Sequence, residues 1–262
     1  MYEIQTYLGA DGLMHCTVCK EPVEAFYPKG SLLEMRKHHR QCACERKAYA
    51  EETQYYKEKE HRELIARNKK ICFEEKEMEG FTFQNVERDS GVIRIAEEYV
   101  TNWQKMKQNH MGYLFWGPVG TGKSYLAACI ANALLEKEVT VKMTNFNTIL
   151  NDLFAAEDKK EYIRSLNGYE LLIIDDLGVE RSSEYVLENI FSVIDWRYRS
   201  GKPLIITINL PLAQLKQETK IEKKRIYDRI LERCIPVKID GVSRREAMAN
   251  DNMQTMKNIL KI

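Results

Sequence analysis

Nowhere does the sequence hold the ~18 consecutive apolar residues that a membrane-spanning helix needs, so a helical membrane protein is not expected. The opening stretch also lacks the basic segment followed by an apolar one that marks a secretory leader. Met1 to Asp11 instead carries Glu3 and Asp11. A surplus of either charge is missing too: 40 Lys and Arg stand against 39 Asp and Glu, a formal net charge of +1. That excludes a grossly basic nucleic-acid coat and an acidic tail protein, and confines any nucleic-acid contact to a local patch. There is no internal repeat and no low-complexity segment. With 44% apolar residues in 262, the chain can bury a core, and the length fits one large domain plus a small module. Cysteine is present but odd in number. Of seven, four fall in the first 44 residues, and without a leader they suggest a reducing, cytoplasmic setting and a metal site in place of a disulfide framework.

Three zones differ in texture. Residues 1–44 lack regular periodicity. Residues 45–79 are dense in charge and free of Pro and Gly up to Gly80, which predicts one long helix stopped by that glycine. Its apolar positions keep no heptad, so a solvated linker helix suits it better than a coiled coil. From Phe81 onward, short β-branched runs alternate with longer helical patterns, the mark of a parallel α/β sheet. Five strands are predicted near 112–116, 139–143, 170–174, 204–208 and 235–239. Helices are predicted over 92–108, 123–136, 145–155, 158–167, 184–199, 222–233 and 244–260.

The most specific motif is Gly117-Pro118-Val119-Gly120-Thr121-Gly122-Lys123-Ser124, which fits G-x-x-x-x-G-K-[ST] between an apolar strand and a helix starting at Tyr125. Its glycines let backbone N–H groups curl around a phosphate, and the helix N-terminus adds partial positive charge. Lys123 is placed to reach β- and γ-phosphates and the Ser124 hydroxyl to hold Mg²⁺. The second motif is Leu171-Leu172-Ile173-Ile174-Asp175-Asp176, a buried strand opening on two carboxylates, with Asp175 52 positions after Lys123. Asp175 suits Mg²⁺, and Asp176 suits orienting or deprotonating a water. Asn209, after the run Leu204 to Ile208, is either a γ-phosphate or water contact or a simple turn former. Residues 216–245 hold ten Lys and Arg against five acids, and Arg225, Arg229 and Arg233 share one helix face. That row can reach a neighbouring subunit's phosphate, bind nucleic acid, or merely face solvent.

Cys16-x₂-Cys19 and Cys42-x-Cys44 form two pairs separated by 22 residues. Four thiolates suit tetrahedral Zn²⁺ better than an iron–sulfur cluster, and a ~44-residue module needs a metal's folding energy. His38 and His39 are spare donors. Cys72, Cys129 and Cys234 are expected to be small apolar residues.

Taken in order, Gly117–Ser124, Leu171–Gly178, Ile194-Asp195-Trp196-Arg197-Tyr198, Lys202–Leu210 and Arg225-Ile226-Tyr227-Asp228-Arg229 resemble the DnaC/DnaI-type replicative helicase loaders of bacteria and phages. These are AAA+ ATPases related to the IstB transposition helpers, and the resemblance covers about residues 81–245. It implies an AAA+ P-loop NTPase of α/β class over 81–262 with a five-stranded parallel sheet. Ahead of it would come a linker helix over 45–80 and a Cys₄ zinc module over 1–44 that grips the helicase. By the same resemblance, the Gly117–Ser124 loop with Lys123 is Walker A, Asp175 and Asp176 Walker B, and Asn209 sensor 1. Arg229 is a finger acting in trans, with Arg225 near the same interface. The stretch 145–168 matches the extra helix that touches single-stranded DNA. The implied partners are a hexameric DnaB-type helicase, single-stranded DNA and further copies of the chain in a helical oligomer. Two features depart from the pattern. Asp176 stands where many relatives carry Glu, which suits slow turnover. Only 23 residues follow the fifth strand, too few for a helical lid, so a sensor 2 arginine is not expected; Arg244 and Arg245 are the only nearby candidates and are not assigned the role. An IstB-like assistant of a transposase remains the alternative within the ATPases. A metabolite kinase would need an acceptor domain that the sequence lacks, and a non-enzymatic zinc adaptor would show no turnover.

Overall fold

A computed structural model of the chain describes residues 5–33, 36–85, 91–178, 183–241, 243, 252–257 and 259–260. The chain forms two compact units, Met1–Leu64 and Ile65–Ile262.

The first unit opens with two antiparallel hairpins, β1 (Thr6–Leu8) with β2 (Met14–Cys16), and β3 (Glu24–Phe26) with β4 (Lys37–His39). Among the described residues its buried apolar cluster is Cys16, Val23 and Cys42, far too little to hold such a unit by burial alone. The helix α1 (Ala43–Cys72) begins here. Its first turn is capped by carboxylates: Cys42 N–H donates to Glu45 Oε2 (3.1 Å) and Ala43 N–H to Glu21 Oε2 (2.8 Å).

The predicted helix to Gly80 is corrected by the structure. α1 ends at Cys72, and Lys76–Gly80 is a 3₁₀ turn. The cause is tertiary. Phe73 turns into the core, and Glu74 accepts hydrogen bonds from the hydroxyls of Thr144 (2.7 Å) and Thr148 (2.9 Å), drawing the chain away from its helical path. The predicted helix over 92–108 is likewise two, α2 (Gly91–Thr101) and α3 (Trp103–Gln108). At the break, Asn102 leaves helical geometry (φ −96°, ψ +20°) and precedes α3, while its carboxamide donates back to the Glu98 carbonyl (2.9 Å).

The second unit is a parallel sheet of five strands, β5 (Gly112–Trp116), β6 (Val141–Asn145), β7 (Leu171–Asp175), β8 (Leu204–Ile208) and β9 (Cys234–Lys238), in the order β6-β7-β8-β5-β9. All pairs are parallel, as the alternation of strand and helix predicts, and each strand lies within two residues of its expected place. Side chains alternate across the sheet. Phe115, Leu171, Ile173 and Ile205 pack with α2, α3 and α4 (Lys123–Leu135) on one face. Leu114, Leu172, Ile174 and Ile206 pack on the other against α5 (Phe146–Ala155), α6 (Lys159–Leu166), α7 (Glu184–Ser200) and α9 (Ile221–Arg233). A short α8 (Leu212–Lys216) links β8 to α9. After β9 the described residues hold one further helical stretch, at 252–257 and 259–260. Arg244 and Arg245 lie outside the described residues, as does the first half of the predicted helix over 244–260. Among the described residues no helix is long and apolar enough to cross a membrane.

One buried cation ties the strand starts together. Arg197 is 1% exposed, and its guanidinium donates to the carbonyls of Pro203 (2.6 and 3.1 Å), Tyr169 (2.9 Å) and Glu170 (2.8 Å). Burial opposes its charge and pulls its pKa down to about 9, so it is still a cation at neutral pH. Arg197→Met is expected to take a buried donor from three carbonyls and cost about 3–5 kcal/mol, read as a lowered urea midpoint at unchanged slope.

Candidate nucleotide site and cysteine cluster

The phosphate-binding loop joins β5 to α4, where the motif predicts it. Gly117 (φ +145°), Gly120 (φ +82°) and Gly122 (φ +95°) occupy backbone conformations that side chains avoid. At Gly117 space matters as well, because a Cβ there would lie 2.2 Å from the Ile239 carbonyl oxygen. Lys123 starts α4 and is buried. Its ammonium donates to the carbonyls of Gly117 (2.9 Å) and Pro118 (2.6 Å), so it sits inside the loop it is meant to serve. The Thr121 hydroxyl closes the loop onto the Pro118 carbonyl (2.9 Å), and Val119 projects into solvent. Ser124 follows in the first turn of α4. Tyr125 fastens α4 to the segment before the sheet. Its ring stacks on Phe81 at 4.5 Å and its hydroxyl donates to the Thr82 carbonyl (3.1 Å).

The carboxylates stand two strands away, on the same edge of the sheet. Asp175 ends β7, and Asp176 follows in a left-handed conformation (φ +50°) that turns the chain off the strand. Between them works a residue that the motif reading missed. The Thr207 hydroxyl on β8 donates to Asp175 Oδ1 (2.6 Å) and accepts from the Asp176 N–H (2.8 Å). Asn209 Nδ2 donates to Asp176 Oδ1 (2.6 Å), so the amide and the second carboxylate act as a pair. A threonine in an otherwise aliphatic run, Leu204-Ile205-Ile206-Thr207-Ile208, was the available signal, since a buried hydroxyl needs a partner.

Arg229 is placed apart from this cluster. Its Nε binds Asp195 Oδ1 (2.6 Å), and its guanidinium lies over the rings of Phe191 (4.6 Å) and Tyr198 (5.6 Å). Arg225 covers Phe191 (4.3 Å) and Arg233 covers Tyr198 (4.6 Å), so cations of α9 interleave with aromatics of α7. The predicted row on one helix face is present, and that face packs on α7. The stretch 145–168 forms α5 and α6, with Phe154 exposed in the last turn of α5.

In the first unit, the sulfurs of Cys16, Cys19, Cys42 and Cys44 lie within 4.8 Å of one another. Backbone N–H groups, that of Glu21 first, lower the Cys19 thiol to about 6, whereas the crowded sulfurs, Cys19 first, push Cys44 up to about 12. Four thiolates this close repel one another, and a bound dication is what lets all four ionise together. The donor set and spacing fit a tetrahedral zinc site.

The family model described as IstB-like ATP binding protein matches residues 48–251. The chain belongs to that family. In this IstB-like chain the AAA+ assignment drawn from the motifs therefore holds for the α/β unit. The chain is similar to the replicative helicase loader DnaC of Escherichia coli K12, 28% identical over 149 residues, 55% of this chain and 58% of that one. It is also similar to the replicative helicase loader DnaI of Bacillus subtilis, 24% identical over 192 residues, 67% of this chain and 62% of the relative. The chain thus spans about three-fifths of the length of these relatives. Among solved structures, a crystal structure of DnaI superposes with a TM-score of 0.57 at 24% identity, over 68% of this chain and 99% of that one, a likeness of fold.

Thr207→Val keeps the shape but removes the hydroxyl that links both carboxylates. It is expected to cost about 1–3 kcal/mol in chemical denaturation, and to weaken Mg²⁺-dependent nucleotide binding in a calorimetric titration more than nucleotide binding without the metal.

Proposed function

We propose that this chain is an ATPase that loads a hexameric DnaB-type replicative helicase onto single-stranded DNA. The observation that carries the reading is the shared sheet edge. A glycine loop holding a lysine ends β5, and a carboxylate–amide pair ends β7 and β8, in a chain whose relatives are named as helicase loaders. The loop amides and Lys123 would bind the ATP phosphates, and Ser124 with Asp175 would hold Mg²⁺, which offsets negative charge on the phosphates. Asp176, steadied by Asn209, would orient the attacking water. Its side chain is one carbon shorter than Glu, which favours the slow turnover of a switch.

Arg229 would complete a neighbour's site in a helical oligomer. ATP binding would then favour assembly because it binds the assembled state better. The experiment is trans-complementation. Lys123→Ala and Arg229→Ala should each lower ATP turnover, the latter by roughly 10³-fold. Mixed, they should regain activity, because the first chain donates its arginine to the intact loop of the second. Two inactive variants that stay inactive when mixed would remove the finger role.

The cysteine module would carry Zn²⁺ and grip the helicase. One zinc per chain is expected by elemental analysis, with Cys16→Ser or Cys42→Ser losing it and opening residues 1–64 to proteolysis. The same variants should lose the complex with the host helicase in mass photometry. A zinc-free wild-type chain, or an undiminished complex, would overturn this part. The family model favours one other reading, an assistant of a transposase of the IstB type. A complex with a transposase, and none with the helicase under any nucleotide condition, would establish it.

A further inference from the structure

At the end of the sheet opposite the nucleotide loop, a cavity of about 380 Å³ opens between the last turns of α6 and α7. It is lined by Arg164, Asn167, Trp196, Arg199 and Ser200. Trp196 is unlike an ordinary core tryptophan. It is 40% exposed, whereas Trp103 is 3% exposed. The Arg164 guanidinium stands 5.9 Å from the indole centroid. Beside the cavity, Lys202 Nζ donates to the Asn167 carbonyl (2.6 Å), adding a third cation. Arg199 already shares a carboxylate, so a phosphate would have to compete with that ion pair. Asp195 holds Arg199 (2.8 Å) and Arg229, and Glu170 is paired with Lys107.

We infer that this cavity is a base-stacking site for single-stranded DNA, in which Trp196 receives one base and Arg164 and Arg199 receive the flanking phosphates. The inference rests on the DNA-binding part of the proposed function and assigns it a second surface, on α7 as well as on α5 and α6. The lining decides the ligand class. Its members are an indole, two guanidiniums, a carboxamide and a hydroxyl, with neither an aliphatic side chain nor a carboxylate among them. An exposed indole flanked by two arginines suits a stacked base and a polyanionic backbone. The volume accommodates a single nucleobase with part of its sugar. Because α7 runs antiparallel to the strands, its last turn lies at their N-terminal ends, away from Lys123, Asp175 and Asp176. The site can therefore be altered without touching those residues.

Fluorescence anisotropy of a labelled oligo(dT), with the full chain and a non-hydrolysable ATP analogue, tests this. Trp196→Ala should weaken binding about tenfold and Trp196→Phe much less, with nucleotide affinity unchanged in both. Arg164→Gln combined with Arg199→Gln should flatten the dependence of log K on log salt by about 0.7 for each phosphate no longer neutralised. If the wild type binds the oligonucleotide and Trp196→Ala binds it within twofold as well, this inference falls and the DNA reading stands. If the wild type binds no single-stranded DNA, both fall. A Trp196→Ala chain that keeps its DNA affinity but loses the helicase complex makes the surface a protein contact and overturns the inference.

Discussion

The ends of three adjacent parallel strands leave backbone groups that the sheet no longer pairs, and the nucleotide edge is built on them. β7, β8 and β5 stop side by side, and each is continued by a turn that its successor must satisfy. Thr207 supplies the hydroxyl for the β7 turn, and Leu177 N–H bonds the Thr207 carbonyl (2.9 Å). After β5 the lysine ammonium takes up the loop carbonyls, and a glycine-rich backbone of this kind can turn its N–H groups toward an anion. A parallel sheet can support this only if both faces are covered, which is why the three central strands β7, β8 and β5 are nearly continuous in apolar residues. The aliphatic runs that make the sheet also deliver Asp175 and Asn209 to one edge.

Much of this was legible before the structure, because it is local. A glycine loop between a strand and a helix, or two carboxylates after four aliphatic residues, carries its meaning within ten positions. The five strands and their parallel sense followed from the same alternation. What stayed hidden depends on distant partners. Nothing in 45–80 says that Glu74 will find two threonines 70 and more positions away and end the helix at Cys72. Nor does the spacing of Arg225, Arg229 and Arg233 reveal that α7 presents Phe191, Asp195 and Tyr198 to them. A helical arginine row reads the same whether it faces water, a phosphate or an aromatic ladder.

The first unit shows the opposite economy. Two of the three residues in its buried apolar cluster are cysteines, so its fold and its donor set are one feature. The carboxylates of Glu21 and Glu45 cap α1 directly after Cys42, so the second cysteine pair is held by the start of the helix. Losing the donor set therefore removes the hairpins' common anchor as well as any ion.

The interleaved arginines and aromatics between α7 and α9 have a mechanical meaning. α9 passes into β9 with no loop between Arg233 and Cys234, and Ile239, one residue past that strand, presses its carbonyl against Gly117. Asp195 and its ring neighbours clamp the other side of α9 to α7. The two helices and the edge strand form a strut whose far tip rests on the first glycine of the loop. Between Arg229 and that glycine the chain runs as helix and strand with no loop to absorb a displacement.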